Sequence, residues 1–418
     1  MAVTKENVKR FNFAKKPKRP GFLMEVAKTI ISRPDLKKRG FQLKKTDMNL
    51  IQGPYLLLVT HSSMVDFNIM LIASEPNQVN NVMTLEGFKD YTEPLMRHLG
   101  VLGTRKFVQD IHLIKNMKYC VEELGTVFAL FPEARYSLDG CTSYLPDSLG
   151  KMVKILNVPV ALLKIHGNFV TCPQWNKINK KTYVEAELKC ILTASQVKEY
   201  KYHDINDIIR ENFVYDDFKW QYDNQIKIDH PLRANGLHCL LYKCASCQEE
   251  GKMHSEGTEL WCEACGKRWE MDEYGRLKAK EGDTEFVHIP DWSNWERECV
   301  RKEIEDGTYY FEDTVQVETL PGSTRFYKQG EGKLIQTIHE TRLECNYFGE
   351  PYEMVRSAKS LESMHIEYDY HKRGDCVDIS IPDESFWCYL SKRDAITKLS
   401  FATEEIHKLA MKKDKDKL

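Results

Sequence analysis

Apolar and polar positions alternate in blocks between residues 53 and 215. "PYLLLV" (54–59) is a continuous apolar run, the pattern of a strand buried on both faces, and "SMVDFNIMLIAS" (63–74) has the length of a helix following it. Residues 107–124 carry Val108, Ile111, Ile114, Met117, Val121 and Leu124 at helical spacing, with Gly125 as a stop. "TVFALF" (126–131) predicts a second buried strand ended by Pro132, "LGKMVKILN" (149–157) a short helix and "VPVALLKI" (158–165) a third strand. Such alternation predicts an α/β sheet whose ligand site lies at the carboxyl ends of the strands. Two polar clusters, "THSS" (60–63) and "PEARYS" (132–137), fall there.

Outside this region the pattern changes. In residues 21–32, Phe22, Leu23, Val26, Ala27, Ile30 and Ile31 form one helical stripe. It fits a helix packed on the body or one lying in a membrane interface. Residues 236–280 are rich in cysteine, glycine and charge, and "DWSNWERECVRKEIED" (291–306) reads as a connecting helix. From 308 onward short strand-like runs recur: "DTVQVET", "RFYK", "KLIQTI", "TRLECN", "MHIEYDY", "DCVDIS" and "FWCYL". An amphipathic helix over 391–412 closes the chain. Many short strands and one terminal helix resemble, in element order, a pleckstrin-homology-like domain. The expected division is an N-terminal segment (1–50), an α/β domain (51–235), a cysteine module (236–280), a connecting helix (281–307) and a β-rich domain with a C-terminal helix (308–418).

Charge is unevenly placed. Residues 1–50 hold 14 Lys and Arg against 4 Asp and Glu, while the whole chain carries a net charge of -2. A basic, aromatic-containing segment on an acidic body points to an anionic membrane surface and away from nucleic acid. No apolar run approaches the ~18 residues of a membrane span, and no signal peptide is visible. A peripheral location on the cytoplasmic face of a membrane is therefore expected.

Among 13 cysteines, Cys244 and Cys247 ("CASC") and Cys262 and Cys265 ("CEAC") have the spacing C-x2-C-x14-C-x2-C. Two such pairs can grip a tetrahedral ion from two tight turns, and four thiolates suit zinc and leave no open coordination position. The module resembles a zinc ribbon, with the ion structural.

His61 and Asp66 form H-x4-D. Alone this spacing is weak, and Ser63 with Asp66 also fits a capping box at a helix start. The second cluster, "FPEARYS" (131–137), adds Glu133 and Arg135 at the neighbouring strand end. "LGVLGTRK" (99–106) lies between them, with Gly100, Gly103, Arg105 and Lys106, and "VPV" (158–160) follows. Four blocks in this order, over residues 45–215, resemble the glycerophospholipid acyltransferase superfamily, which includes lysophosphatidic acid (1-acyl-sn-glycerol-3-phosphate) acyltransferases. Two departures stand out. The family reads Gly-Thr-Arg after the glutamate where this chain has Ala134, Arg135 and Tyr136. Arg105 also lies one residue nearer its glycine than usual, so Lys106 falls at the family distance.

The resemblance implies transfer of a fatty acyl group from a thioester of coenzyme A or acyl carrier protein to the hydroxyl of a lysophospholipid or glycerol phosphate. In that reaction His61 acts as general base and Asp66 fixes its tautomer. Five helical residues span about 140° beyond a full turn, so the pair requires His61 outside the helix. Arg105 and Arg135 would hold the acceptor phosphate, and Glu133 would orient an arginine or bind a glycerol hydroxyl. Two other readings share these residues: an acyl hydrolase, and a non-catalytic lipid-binding scaffold.

Overall fold

The computed structural model describes residues 3–88, 92–180, 182–392 and 394–415. Seven strands form the first sheet: β1 (Gln42–Thr46), β2 (Leu56–Val59), β3 (Val79–Thr84), β4 (Val101–Thr104), β5 (Val127–Leu130), β6 (Val160–His166) and β7 (Glu185–Leu192). Their order is β1-β7-β6-β2-β5-β3-β4. All pairings are parallel except β6 with β7. Every residue of β2 is buried, as its apolar run requires. Leu57 and Val59 face the Val65–Ala73 helix, and Leu56 and Leu58 face the Ile111–Glu122, Leu149–Leu156 and Tyr202–Phe213 helices. Each such leucine contributes about 2 kcal/mol of apolar burial.

β3 was not legible because its sequence, "VNNVMT", is polar at the centre. Asn80 is nevertheless buried. Its amide donates to the Lys18 and Gly100 carbonyls at 2.9 and 2.7 Å and accepts from the Thr126 hydroxyl at 2.7 Å. These bonds meet the requirement that a buried amide be satisfied.

A second, antiparallel sheet comprises β8 (Met253–Glu256), β9 (Glu259–Cys262), β10 (Arg268–Met271) and β11 (Leu277–Ala279). The third is antiparallel, with β12 (Phe311–Thr319), β13 (Tyr327–Gln336), β14 (Glu340–Tyr347), β15 (Glu350–Ser357), β16 (His365–Glu367), β17 (Cys376–Ile381) and β18 (Glu384–Leu390) in the order β15-β14-β13-β12-β18-β17-β16. "RFYK" and "KLIQTI", expected as two strands, contribute to one, β13. "QGEG" between them continues the strand, with one extra residue, Gln329, bulged opposite the Val317–Glu318 step of β12. β15 was missed because its charged residues hide a half-exposed edge strand.

The Ile289–Glu305 helix packs on the closing Ile396–Lys415 helix. Glu404 and Glu405 are buried between them. Arg297 donates to Glu404 at 2.6 Å and Arg301 to Glu405 at 2.8 Å. One apolar cluster runs from Trp175 through Trp269 and Trp292 to Phe386 and Ile406, so a continuous core underlies the second and third sheets.

The basic N-terminal segment crosses the seam between the first and third sheets. Phe11 is buried with Phe88, Val101, Leu320 and Trp387. A Cβ at Gly103 would meet the Phe11 ring at 2.3 Å, so only glycine admits this ring. Farther on, helical residues run continuously from Phe22 to Lys38, with a π-turn at Lys28–Ser32. The buried positions are Met24, Lys28, Ser32 and Leu36, a four-residue period that the wider π-turn accommodates. The sequence stripe therefore does not pack inward as a unit. Phe22 is 79% exposed and Ile30 69%, and Leu23 and Ile31 are also exposed. Among the described residues no helix is long and apolar enough to cross a membrane.

Candidate active site and metal cluster

Three neighbouring parallel strands, β5, β2 and β6, end side by side, with Leu58 opposite Leu130 and Val59 opposite Leu163. The segments leaving them carry His61, Glu133 and Asn168. His61 lies in the loop and the helix begins only at Val65. Asp66, in its first turn, is fully buried. Its Oδ2 accepts the Ser62 and Ser63 backbone N–H groups at 2.6 and 2.8 Å and lies 3.2 Å from His61 Nδ1. Its Oδ1 accepts from the Asn168 amide at 2.7 Å. The Ser63 hydroxyl in turn accepts the Val65 N–H at 3.2 Å. One carboxylate therefore fixes both the imidazole and the loop before the helix, whereas the expected side-chain cap is absent: the N-cap position is Met64, which has no side-chain cap bond.

The His61 ring lies between Phe131, with centroids 4.2 Å apart, and Tyr136, at 4.3 Å. Its side chain is 21% exposed. Glu133 is buried and holds the backbone around it. Oε2 accepts the His61 N–H at 3.0 Å, and Oε1 accepts the Ser143 N–H at 2.6 Å and the Tyr215 hydroxyl at 3.0 Å. The expected contact with an arginine or a glycerol hydroxyl is replaced by these bonds. Burial pushes the Glu133 carboxyl up to about 7, against the opposing effect of its donors and of Arg135. Ala134 has φ 53, the left-handed backbone that glycine adopts most readily. That is the position where the family pattern has glycine.

The two arginines are not placed alike. Arg105 is buried with its guanidinium filled by the third sheet. It donates to the Leu320, Pro321 and Asp383 carbonyls at 2.9, 3.0 and 3.2 Å and to the Ser385 hydroxyl at 2.7 Å. In this arrangement both of its terminal nitrogens are bonded to protein, and its buried Nε has no hydrogen-bond partner among the described residues. Lys106 is likewise buried and donates to Glu86 at 2.5 Å. Arg135 donates through Nη2 to Glu404 at 2.6 Å, while its buried Nε and Nη1 have no hydrogen-bond partner among the described residues.

Asn168, Tyr215 and Ser143 escaped the sequence reading. Asn168 follows Gly167, whose φ of 89 turns the chain at the end of β6, and that position was its only signal. A second histidine pair, His166 with Asp217 at 2.8 Å, also escaped, because 51 residues separate its members. Trp220 stacks on this imidazole at 5.7 Å.

Cys244, Cys247, Cys262 and Cys265 bring their sulfurs within 4.8 Å of one another, so they could hold a metal. The Cys244–Cys265 and Cys247–Cys262 separations are 3.8 and 3.7 Å. Tetrahedral geometry with bonds of about 2.3 Å requires ~3.8 Å between sulfurs, so the residues fit zinc. Gln248 (φ 66) and Gly266 (φ 77) turn the backbone after each pair.

No family model matches the chain, and no curated protein matches it in sequence. Among solved structures it is similar to the 1-acyl-sn-glycerophosphate (LPA) acyltransferase PlsC from Thermotoga maritima. The identity is 15% and the TM-score 0.35, over 46% of this chain and 79% of that one. That level of likeness is too low to define a shared fold.

The Glu133 environment predicts a pH effect. Its carboxyl is raised in the native state, so between pH ~4.5 and ~7 the native chain holds a proton that the unfolded chain has released. Native stability from this group is therefore lost as pH rises through that window, by roughly 3 kcal/mol in total. Urea midpoints at pH 5, 6 and 7.5 should show Glu133→Gln losing less stability with rising pH than the parent. Parallel pH profiles would contradict this assignment.

Proposed function

We propose that the chain is an acyltransferase of the glycerophospholipid type, moving a fatty acyl group from a thioester to the hydroxyl of a lysophospholipid or glycerol-phosphate acceptor. The observation that carries this reading is the His61–Asp66 pair at the strand ends, with Asp66 anchored by two backbone donors and Asn168. An ionised carboxylate only accepts hydrogen bonds, so His61 Nδ1 carries the proton and Nε2 is left to accept one. His61 would take the acceptor's hydroxyl proton as that oxygen attacks the thioester carbonyl. The thiolate leaves, and the proton passes back to it. No acyl-enzyme is required. The base should contribute ~10²–10⁴-fold. A folded His61→Ala protein should therefore transfer acyl groups at least ~10²-fold more slowly, assayed on a panel of acceptors with one acyl thioester. Full activity in that variant would end the base assignment. Free fatty acid released without acceptor would favour a hydrolase, and no turnover by the parent protein would favour a lipid-binding scaffold.

Arg135, with two donors unpartnered among the described residues, is the proposed contact for the acceptor phosphate, in competition with Glu404. Arg135→Ala should raise KM for a phosphorylated acceptor and leave KM for the thioester unchanged, whereas Glu404→Gln should lower the acceptor KM. Equal effects on donor and acceptor would remove the assignment.

The proposed partner surface is an anionic membrane. Phe22, Leu23, Ile30 and Ile31 are exposed on a helical segment that packs on the Val65–Ala73 helix, and the Ser32 hydroxyl donates to Asn68 at 3.0 Å. Met64, three residues from His61, is 77% exposed. Exposed lysines and arginines at 15, 16, 18, 19, 37 and 38 flank this apolar group in sequence. Replacing Phe22, Ile30 and Ile31 together by serine should reduce binding to phosphatidylglycerol vesicles at least ~10-fold without changing the melting temperature appreciably. Unchanged binding would place the membrane contact elsewhere.

In this reading the four-cysteine module is a zinc ribbon whose ion is structural, since four protein ligands leave no open position. The third sheet with its closing helix is pleckstrin-homology-like. A four-strand meander, a three-strand meander and a terminal helix support that likeness.

A further inference from the structure

We propose a second metal site, separate from the four-cysteine cluster, formed by His238, Cys239 and Asp394. One ligand atom from each lies within 4.8 Å of the others. An imidazole nitrogen, a thiolate and a carboxylate oxygen together suit a borderline divalent ion of the zinc class. Bond lengths of about 2.0–2.3 Å bring such ligands to ~3.5 Å from one another, so closure needs side-chain shifts of about an ångström.

The surroundings hold these groups in place. The Ser255 hydroxyl lies 2.8 Å from His238 Nδ1, which would leave Nε2 for the ion. An outer hydrogen bond of this kind fixes the ring of a ligating histidine. His254 stacks on the same ring at 5.7 Å. The Thr397 hydroxyl donates to the Cys239 carbonyl at 2.6 Å and is itself 2.7 Å from the Tyr368 hydroxyl. Burial pushes the Cys239 thiol up, and the charges of Asp375, Asp394 and Asp369 add to this, opposed by Lys177. A divalent cation would neutralise this concentration of negative charge. On binding, the thiol proton is released to solvent as the sulfur–metal bond forms. Three protein ligands leave one position for water.

The placement gives the ion a structural consequence. His238 and Cys239 belong to the short Leu237–Leu240 helix, which leads into the first cysteine pair, and Asp394 precedes the closing helix. The ion would clamp the start of that helix, and with it Glu404, to the second sheet.

The test uses the full chain, loaded with zinc and gel-filtered in metal-free buffer, with zinc per chain measured by plasma mass spectrometry. His238→Ala, Cys239→Ser and Asp394→Asn should each lose one equivalent relative to the parent. Cys247→Ser should lose a different one, so failure at either site is told apart from failure at the other. Cobalt substitution supplies a folding control: the four-thiolate spectrum should persist in Cys239→Ser while the one-thiolate component disappears. Should a variant fail that control, the parent's cobalt spectrum decides, because a four-thiolate component alone overturns the proposal. A zinc count unchanged by both His238→Ala and Cys239→Ser, with the four-thiolate spectrum intact, also overturns it.

Discussion

The buried carboxylate of Asp66 sets the geometry on which the candidate site depends. Four groups converge on its two oxygens: two backbone N–H groups, an imidazole and an amide. A carboxylate taken out of water without such partners would cost several kcal/mol and would take up a proton instead. Here the donors come from the loop after β2 and the turn after β6, so satisfying one charge binds two strand ends together. His61 is held outside the helix because the N–H groups following it are already committed to Asp66. Glu133 does the same from the β5 side by taking the His61 N–H. Three parallel strands thus meet at one histidine through two buried acids.

A second constraint comes from the far end of the chain. Arg105 and Arg135, the two arginines nearest the candidate site in sequence motif, both donate to residues beyond 300. The two differ in strength. Both terminal nitrogens of Arg105 are spent on four acceptors, three of them main-chain carbonyls that no side-chain change can remove. Arg135 meets one carboxylate, which it shares with Arg297 and Ser363, and keeps two buried donors without partners among the described residues. Unmet buried donors cost about 1–3 kcal/mol each, so a phosphate arriving there would relieve a penalty. At Arg105 only Nε lacks a partner among the described residues, and reaching the terminal nitrogens would displace bonds already made. Arg105 is a fastener of the third sheet through four bonds, whereas Arg135 is tied to the C-terminal helix through one carboxylate.

Much of this was legible in the sequence, and the rest was not for identifiable reasons. β2, β5 and β6 could be read because strands buried on both faces are apolar throughout. β3 could not, since Asn80 is satisfied by partners 20 to 62 residues away that no local pattern reveals. His61 and Asp66 share one short segment and were found together, whereas Asn168 depends on the pairing of β2 with β6. The cysteine pairs were found by spacing. The His238–Cys239–Asp394 group was not, because its third member is 155 residues on. The stripe of residues 22–31 was correctly seen as apolar, but its orientation depends on a π-turn that shifts which residues face inward.

That orientation bears on the chemistry. A base that activates an alcohol activates water equally well, so transfer without hydrolysis requires water to be scarce at His61. The protein supplies part of this itself: Phe131 and Tyr136 lie against the ring, and about a fifth of the side chain remains open. The opening is bordered in sequence by exposed Met64, and the helix behind it carries Phe22, Ile30 and Ile31 outward on the neighbouring segment. These side chains are mostly exposed, Phe22 at 79%, Ile30 at 69% and Ile31 at 60%. Under the proposed acyl-transfer reading, a membrane meeting these residues would be a further source of water exclusion beside the two rings that already flank His61.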